Sequence, residues 1–396
     1  MSVYYVKAGG SGSGATPENP AGSWRDVEIR PGDTVLFCRG SLFRDWLAAP
    51  EGREDAPVRF GAYGEGNDPV FCGSVDLSEP SDWEPAGERL WRCVKPTGSE
   101  ACNFIFDGGK RWGILAWEPE DLNGPGKWHD TRIGNGAAAR CEAPGTPCEL
   151  TLWCEENPGI HYSSIECAVF GARKLCDATE WAEFSDLAFV NSGVHGFAVM
   201  NAHHIRMTNC TFRFIGGAVW SREKRIRFGN AFELWDDCHD VIMEGCTCEE
   251  IYDSCFTHQG PGEACVPARN ISVLGNVFRR YGMAAYEARD KVALESEFCG
   301  NTCMDAGMGF AAQDETPPRQ SEIWPQPMGH HLFLWRMEHA TPGGCVRVEN
   351  NLFGPAPLGA AVYAIISPEA RAQFRLRGNR YSPASERMLP DPAEDA

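Results

Sequence analysis

Two glutamates in the C-terminal half of the chain, Glu233 and Glu287, have the spacing expected of a catalytic acid and base. Each directly follows an aromatic residue, Phe232 or Tyr286, and each precedes the next repeated turn residue by nearly the same number of positions. If the chain coils, they stand on one face two strands apart, which is roughly 9 to 10 Å. Inverting glycosidases hold their two carboxyl groups about 6.5 to 9.5 Å apart, with room for a water. The spacing is therefore compatible with hydrolysis of a glycosidic bond.

The turn between the two glutamates carries His258 near the same phase. A His between two carboxylates is expected to be held toward its charged form, in which it could polarise the bridging oxygen or orient water. We therefore predict that His258 assists the glutamates. Asp253 is the alternative catalytic carboxylate if the assignment of Glu233 or Glu287 is wrong. Glutamates on an exposed strand can also be merely solvated, so the structural and catalytic interpretations both stay open.

Side chains around these acids predict a groove that binds sugars. Aromatic rings suit the C–H faces of sugars, and Gln and Arg suit their hydroxyl or carboxylate groups. The candidates are Trp220, Trp235, Tyr286, Trp324, Gln259, Arg289 and Gln313. Trp220 fits a packed aromatic ladder equally well, and Arg289 fits an exposed turn.

A repeated pattern indicates which elements position these residues. From about residue 184, a short apolar strand, an Asn or Gly step and a second strand recur, and an aromatic or Cys often follows two residues after the step. The steps fall at Leu187, Cys210, Cys246, Asn276, Asn301, Asn351 and Asn379, and aromatic residues ten positions later are Phe197, Trp220, Phe256 and Tyr286. A turn residue and a ring that return to one phase predict a parallel β-helix.

The 396 residues are predicted to form a single all-β domain. Residues 1–98 would form an N-terminal cap and the first turns, 99–183 a β-rich insertion in which the repeat is lost, and 184–396 the main coils. Long loops at 221–229, 260–267 and 314–330 are expected at one phase, where they would wall a groove on one side.

Composition narrows the choice of partners. The net charge of −19 opposes binding to nucleic acid or to an anionic membrane. The basic cluster at 222–227 is interpreted as a solvated loop, and no segment has the length and apolarity of a membrane helix. We expect a cytoplasmic protein from the sequence as written, or a secreted or periplasmic one if an export segment is missing from it.

Eighteen cysteines in so large a chain are interpreted as buried reduced thiols rather than disulfides. Cys246, Cys248 and Cys303 fall at core phases of the repeat. Their spacing lacks the second Cys or His pair of a zinc site, so no metal site is predicted.

Several motifs resemble those of right-handed parallel β-helix carbohydrate-active enzymes, the group of pectate lyases, polygalacturonase-type glycosidases and alginate epimerases. The segments at 4–10, 31–35 and 61–64 resemble their N-terminal part, and those at 232–235 and 258–260 resemble a mostly uncharacterised bacterial branch. The resemblance covers nearly the whole chain and implies a right-handed coil and a carbohydrate substrate. The chain lacks the Gly-Asp-Asp triplet of polygalacturonases and a clear calcium cluster of pectate-lyase type, so neither family's catalytic residues transfer.

Three functions follow as hypotheses. The first is a glycoside hydrolase that uses two carboxylates, needs no cofactor and acts on an oligo- or polysaccharide. The second is a polysaccharide lyase or uronate epimerase, with Ca²⁺ possible, that could recruit His258, Tyr286, Arg289 and Arg222 as base and charge neutraliser. The acidic surface opposes a polyuronate substrate. The third is a non-catalytic glycan-binding β-helix, and the oligomeric state is left open.

Overall fold

The three-dimensional structure is a computed structural model that describes residues 1–134, 150–171, 174–313 and 328–382, together with the backbone of 386–387. The predicted right-handed parallel β-helix is confirmed. Each complete coil passes through three parallel sheets in a fixed order, which we name sheets A, B and C. Apolar side chains from all three walls fill the interior of the coil.

Sheet A contains the strands Val3–Val6, Thr34–Cys38, Val58–Tyr63, Glu180–Ser185, His203–Thr208, His239–Glu244, Arg269–Leu274, Ser296–Cys299, Val346–Glu349 and Phe374–Arg377. Sheet B contains Leu42–Phe43, Val70–Cys72, Ala188–Ser192, Thr211–Ile215, Thr247–Ile251, Val277–Tyr281, Thr302–Ala306, Leu352–Phe353 and Arg380–Tyr381. Sheet C contains Leu47–Ala48, Lys174–Asp177, His195–Met200, Phe232–Trp235, Ser254–Gln259, Ala284–Arg289, His330–Met337, Ala360–Ile366 and Glu386–Arg387.

Helices are short and lie between the strands. The α-helices are Pro158–His161 and Pro368–Arg371, and the 3₁₀ turns are Trp24–Asp26, Pro80–Asp82, Pro119–Asp121, Gly262–Ala264 and Gly309–Ala311. Within the described part of the chain, none of these helices has the length and apolarity needed to cross a bilayer.

A β-rich insertion packs beside the coils. Its first sheet contains Ser74–Asp76, Ala101–Phe106, Arg111–Trp112 and Ile165–Val169, and its second contains Trp83–Gly87, Leu90–Cys93, Ile114–Leu115, Lys127–Asp130 and Leu150–Trp153. The two sheets enclose a separate core that includes Trp83 and Trp128.

The insertion has different limits from the predicted 99–183. It begins earlier, because Ser74–Asp76 pairs with Ile165–Val169 at its far end. It also ends earlier, because Lys174–Asp177 and Glu180–Ser185 pair with strands of the coil. The Trp-rich composition indicated that an insertion is present, but it did not indicate which strands form the edges of its sheets.

The repeated step is a tight corner between sheets A and B. The residue before each step has positive φ, as at Asn209, Gly245 and Gly300, which is why Gly and Asn recur there. After Cys246 the steps form a buried ladder, in which each Asn Oδ1 accepts the backbone N–H of the preceding step. Its hydrogen bonds join Cys246, Asn276, Asn301, Asn351 and Asn379. The ladder satisfies the corner's backbone N–H groups, which would otherwise be buried without partners.

The predicted core register holds for the thiols and for most of the rings. Cys246, Cys248 and Cys303 are fully buried, which confirms that they fill core positions, and the cysteines in the described residues are free thiols. In sheet C the ring ladder contains Phe197, Phe232, Phe256 and Tyr286.

Trp220 does not belong to that ring ladder. The hairpin formed by Ala218–Ser221 and Ile226–Phe228 inserts before the sheet C strand, so Phe232 takes the ring position expected for Trp220. Trp220 lies on the hairpin with 64% of its surface exposed and contacts Phe228 edge to face.

Candidate functional site

The two predicted glutamates lie on the outward face of sheet C, at one register position. Glu233 pairs with Thr257, and Thr257 pairs with Glu287 on the next strand. One strand therefore separates the two glutamates, as the repeat predicted, and two strand spacings correspond to roughly 9 to 10 Å between their backbones. We name Glu233, Thr257 and Glu287 the glutamate row.

Asn230 holds the carboxylate of Glu233. The Asn230 side-chain N–H donates to Glu233 Oε2 at 2.6 Å, and its Oδ1 accepts the backbone N–H of Ser254 at 3.0 Å, which defines the orientation of the amide. His195 Nδ1 lies 3.5 Å from Glu233 Oε2 but accepts the backbone N–H of Asn230 at 3.1 Å. Because that nitrogen is an acceptor, His195 carries its proton on Nε2 and does not donate to Glu233.

Glu287 is held by donors on both of its oxygens. Trp335 Nε1 donates to Oε1 at 2.9 Å, and Ser254 Oγ donates to Oε2 at 3.1 Å. Glu287 is 2% exposed, whereas Glu233 is 9% exposed. A substrate can therefore reach the Glu287 carboxylate only when the side chains that cover it shift.

A second outward row runs beside the glutamate row and contains Trp235, Gln259, Arg289 and Trp335. The Arg289 guanidinium lies 5.3 Å from the centroid of the Trp235 ring and 5.4 Å from that of Trp335. Its Nε also lies 3.3 Å from the carboxylate of Asp290. Arg289 is thus fixed between two indoles by cation–π contacts, and it occupies ring surface that was predicted to face a sugar.

His258 does not assist the glutamates, because it points into the core. Along its strand Thr257 takes the outward position, and His258 pairs with the core residues Leu234 and Ala288. Its Nε2 shares a 2.7 Å hydrogen bond with the hydroxyl of Tyr286, which is also buried. Burial lowers the pKa of His258 to about 4, so the predicted charged form is wrong, and Tyr286 is not available to a sugar.

Three other predicted site residues are not members of the glutamate row. Gln313 is bound within a buried network with Arg227 and Asn103, between the coil and the insertion. Asp253 is buried at the corner before the sheet C strand Ser254–Gln259. Trp324 lies outside the described residues.

Long connections flank sheet C along two edges rather than one. The segment 217–230 and the β-rich insertion both lie between sheet B and sheet C, before the sheet C strand. The loop 260–267 lies on the opposite edge, since it leads from sheet C to sheet A. The prediction that all long loops leave the coil at one phase was wrong for this loop, because its extra residues follow the sheet C strand instead of preceding it.

Arg227 is a buried residue that sequence reasoning placed in a solvated loop. Its guanidinium donates to the backbone oxygens of Gly217 and Cys102 and to the side chains of Asn103 and Gln313. It also stacks over Tyr252, 4.5 Å from the ring centroid. The buried position of Arg227 could not be recognised in the sequence, because the residue lies within the basic cluster 222–227 and no pattern distinguishes it from its neighbours.

Sequence reasoning also missed the residues that hold the glutamates. Asn230, Ser254 and Trp335 contact the carboxylates, and His195 lies beside Glu233 on the preceding coil. The strand phase could have located Trp335 opposite Arg289, but the long connection before His330 concealed its register. Around the glutamate row, the described residues offer no set of three His, Cys, Asp or Glu ligands for a metal.

Comparisons with known proteins support the fold. No protein-family model and no curated protein sequence matches the chain. A GH136 lacto-N-biosidase from Eubacterium ramulus aligns over 96% of this chain with a TM-score of 0.52 and 13% identity. The likeness establishes the fold alone. The chain spans 59% of the length of that lacto-N-biosidase chain.

Two further solved structures align less closely. An alginate lyase from Paenibacillus sp. str. FPU-7 has a TM-score of 0.46 and 9% identity, over 91% of each chain. A polygalacturonase from Erwinia carotovora ssp. carotovora has a TM-score of 0.43 and 10% identity, over 96% of this chain and 86% of its own.

Proposed function

We propose that the protein is a glycoside hydrolase that cleaves an oligo- or polysaccharide with Glu233 and Glu287. The observation that carries the proposal is the outward register of these two carboxylates, with one strand between them. Two strand spacings leave room for a sugar carbon and an attacking water, which is the arrangement of an inverting hydrolase. The lacto-N-biosidase with the same fold is itself named for cleaving a glycan.

The hydrogen bonds favour Glu287 as the base and Glu233 as the acid. The Trp335 indole N–H can only donate, and Ser254 also donates, so both oxygens of Glu287 are placed as acceptors. Such a carboxylate is suited to take a proton from the attacking water, whose oxygen bonds to the anomeric carbon. Glu233 then gives its proton to the leaving oxygen as the glycosidic bond breaks.

Arg289 is the proposed binding residue beside this pair. Its guanidinium is ordered between Trp235 and Trp335, next to the glutamate row, and can donate to sugar hydroxyl groups. The exposed Trp220, on the hairpin that also places Phe228 against His195, supplies a ring surface at the Glu233 end.

The lyase or epimerase alternative loses most of its predicted groups. His258 and Tyr286 are in the core, and Arg222 pairs with Glu118 at 2.8 Å. Of the four residues named for that chemistry, only Arg289 stands next to the glutamate row. The side chains that point outward therefore favour the hydrolase over the lyase or epimerase.

Product analysis tests the reaction class directly. We expect the protein, incubated with a panel of neutral and acidic oligosaccharides, to release new reducing ends that carry oxygen from isotopically heavy water. An unsaturated uronide that absorbs in the ultraviolet, without oxygen uptake, would instead identify β-elimination. Binding of a glycan without any cleavage would identify the non-catalytic alternative.

Trp335→Phe is expected to change the pH dependence of cleavage. Phe keeps the ring that stacks on Phe333 but cannot donate to Glu287. Loss of this hydrogen bond to the charged carboxylate destabilises its ionised form and so raises the pKa of the carboxyl. Since the base must be ionised, the acidic limb of the kcat/KM profile should move to higher pH.

Trp235→Phe is the matched control, because Trp235 also stacks on Arg289 but has no hydrogen bond to Glu287. It should leave the acidic limb in place. Equal profiles for the two variants would contradict the assignment of Glu287 as the base.

A further inference from the structure

A cluster of metal-ligating side chains lies on sheet A, a different wall of the coil from the glutamate row. His204, His239 and Asp240 offer one ligand atom each, and these atoms lie within 4.8 Å of one another. The sequence shows the pairs His203-His204 and His239-Asp240, but no spacing typical of a known zinc motif. The site appears only when the strands His203–Thr208 and His239–Glu244 pair.

The backbone explains why these side chains meet. Trp181, His204 and Asp240 occupy one register position on three successive strands, and all three have positive φ, between 52° and 54°. This left-handed conformation is uncommon for residues other than Gly. The same positive φ recurs at Asn270 and Glu295 on the following coils, so it is a regular feature of this wall. Because His204 and Asp240 share this register position, their side chains lie together on adjacent strands.

The distances suit a small divalent ion. His204 Nε2 lies 3.5 Å from Asp240 Oδ2, and His239 Nδ1 lies 2.6 Å from the same oxygen. Two atoms that each lie about 2.0–2.1 Å from a tetrahedral zinc ion are about 3.3 Å apart. The first pair already has nearly this separation, and the second reaches it when the hydrogen bond between His239 and Asp240 opens.

A relay of hydrogen bonds orients the His204 ring. Its Nδ1 lies 2.9 Å from His203 Nδ1, and His203 Nε2 lies 3.2 Å from Glu180 Oε2. If His203 donates from Nε2 to Glu180, its Nδ1 accepts the Nδ1 proton of His204, which leaves the lone pair on His204 Nε2. Trp181 stacks on the His204 ring with a centroid distance of 3.7 Å. Metal-binding histidines are commonly fixed by such outer contacts.

We propose that His204 Nε2, His239 Nδ1 and Asp240 Oδ2 bind a divalent transition metal ion, with zinc as the best match. Two imidazoles and one carboxylate leave a fourth tetrahedral position for water. The side chains of His204 and Asp240 are 33% and 32% exposed, so the ion has access from solvent. They open onto a cavity of about 290 Å³ that Arg206 also lines, with its charge paired to Glu244. The ion would tie two adjacent coils together and stabilise the folded chain.

Zinc titration of untagged, chelator-treated protein tests this site. We expect one Zn²⁺ per chain by isothermal titration calorimetry and a rise in Tm on adding zinc. His204→Asn and Asp240→Asn should each weaken binding at least tenfold. Asn tolerates the positive φ at both positions, and circular dichroism verifies that each variant is folded.

Two controls separate this site from other ligands. His339→Asn changes an exposed histidine outside the cluster and should bind zinc as the parent protein does. Co²⁺ bound to the parent protein should lack a thiolate charge-transfer band, which excludes the cysteines without any substitution. Absence of a saturable zinc site, unchanged affinity in both cluster variants, or a thiolate band would each overturn the proposal. None of these results depends on glycan cleavage.

Discussion

Glu287→Gln is expected to lower the rate of glycan cleavage by about 10²- to 10⁴-fold, the range for loss of a general base. The amide has the shape of the carboxylate and can still accept from Trp335, but it cannot take a proton from water. The rate is measured as reducing ends released from a substrate found by the product analysis. Because the fold around the residue is preserved, the loss should fall mainly on kcat.

Glu233→Gln distinguishes the two roles. If Glu233 is the acid, its loss should matter most for substrates with a poor leaving group and least for aryl glycosides whose leaving group needs no proton. Glu287→Gln should slow both kinds of substrate alike. Glu183→Gln is the control, since Glu183 lies on sheet A in an ion pair with Arg59 and should retain the parent rate. Near-parental turnover by Glu287→Gln would refute the catalytic assignment.

Arg227→Met is expected to cost about 3 kcal/mol or more in the free energy of unfolding. Met fills a similar volume but donates no hydrogen bond, so the oxygens of Gly217, Cys102, Asn103 and Gln313 each lose a donor. A buried polar group left without its partner costs about 1–3 kcal/mol. Denaturant titration measures the loss of stability.

Hydrogen exchange locates the effect of Arg227→Met. The strand Ala101–Phe106 should lose amide protection first, because Arg227 joins it to the coil through Cys102 and Asn103. Lys224→Met, in the exposed turn of the same hairpin, should change the unfolding free energy by less than about 0.5 kcal/mol. A similarly small change for Arg227→Met would contradict the bridging role.

The arrangement of Glu233 and Glu287 could be predicted from the sequence because both are set by local rules. The corner residues need positive φ or an Asn side chain, so they recur visibly, and strand alternation then puts Glu233 opposite to Phe232. The same alternation, applied to Phe256, would have placed Thr257 outward and His258 inward. The prediction that His258 assists the glutamates was wrong because it considered the chemistry of the side chain and not its position in the strand alternation.

The position of Trp220 could not be read in this way. Counting from the corner assumes a bare turn, and the hairpin before Phe232 breaks that assumption. Connections of variable length erase the register, so the ring that enters the core is identified only by its pairing with Phe197 and Phe256.

Residues a few positions apart encode the coil, its core register and the placement of the two glutamates on one face, so these features could be predicted from the sequence. The surroundings of the glutamates depend instead on long-range packing. The Arg227 network joins Asn103 to Gln313, and the histidine cluster joins His204 to Asp240, through contacts between residues far apart in the chain. Such contacts depend on how strands and insertions pack, and no local preference of either residue encodes the partner it will meet.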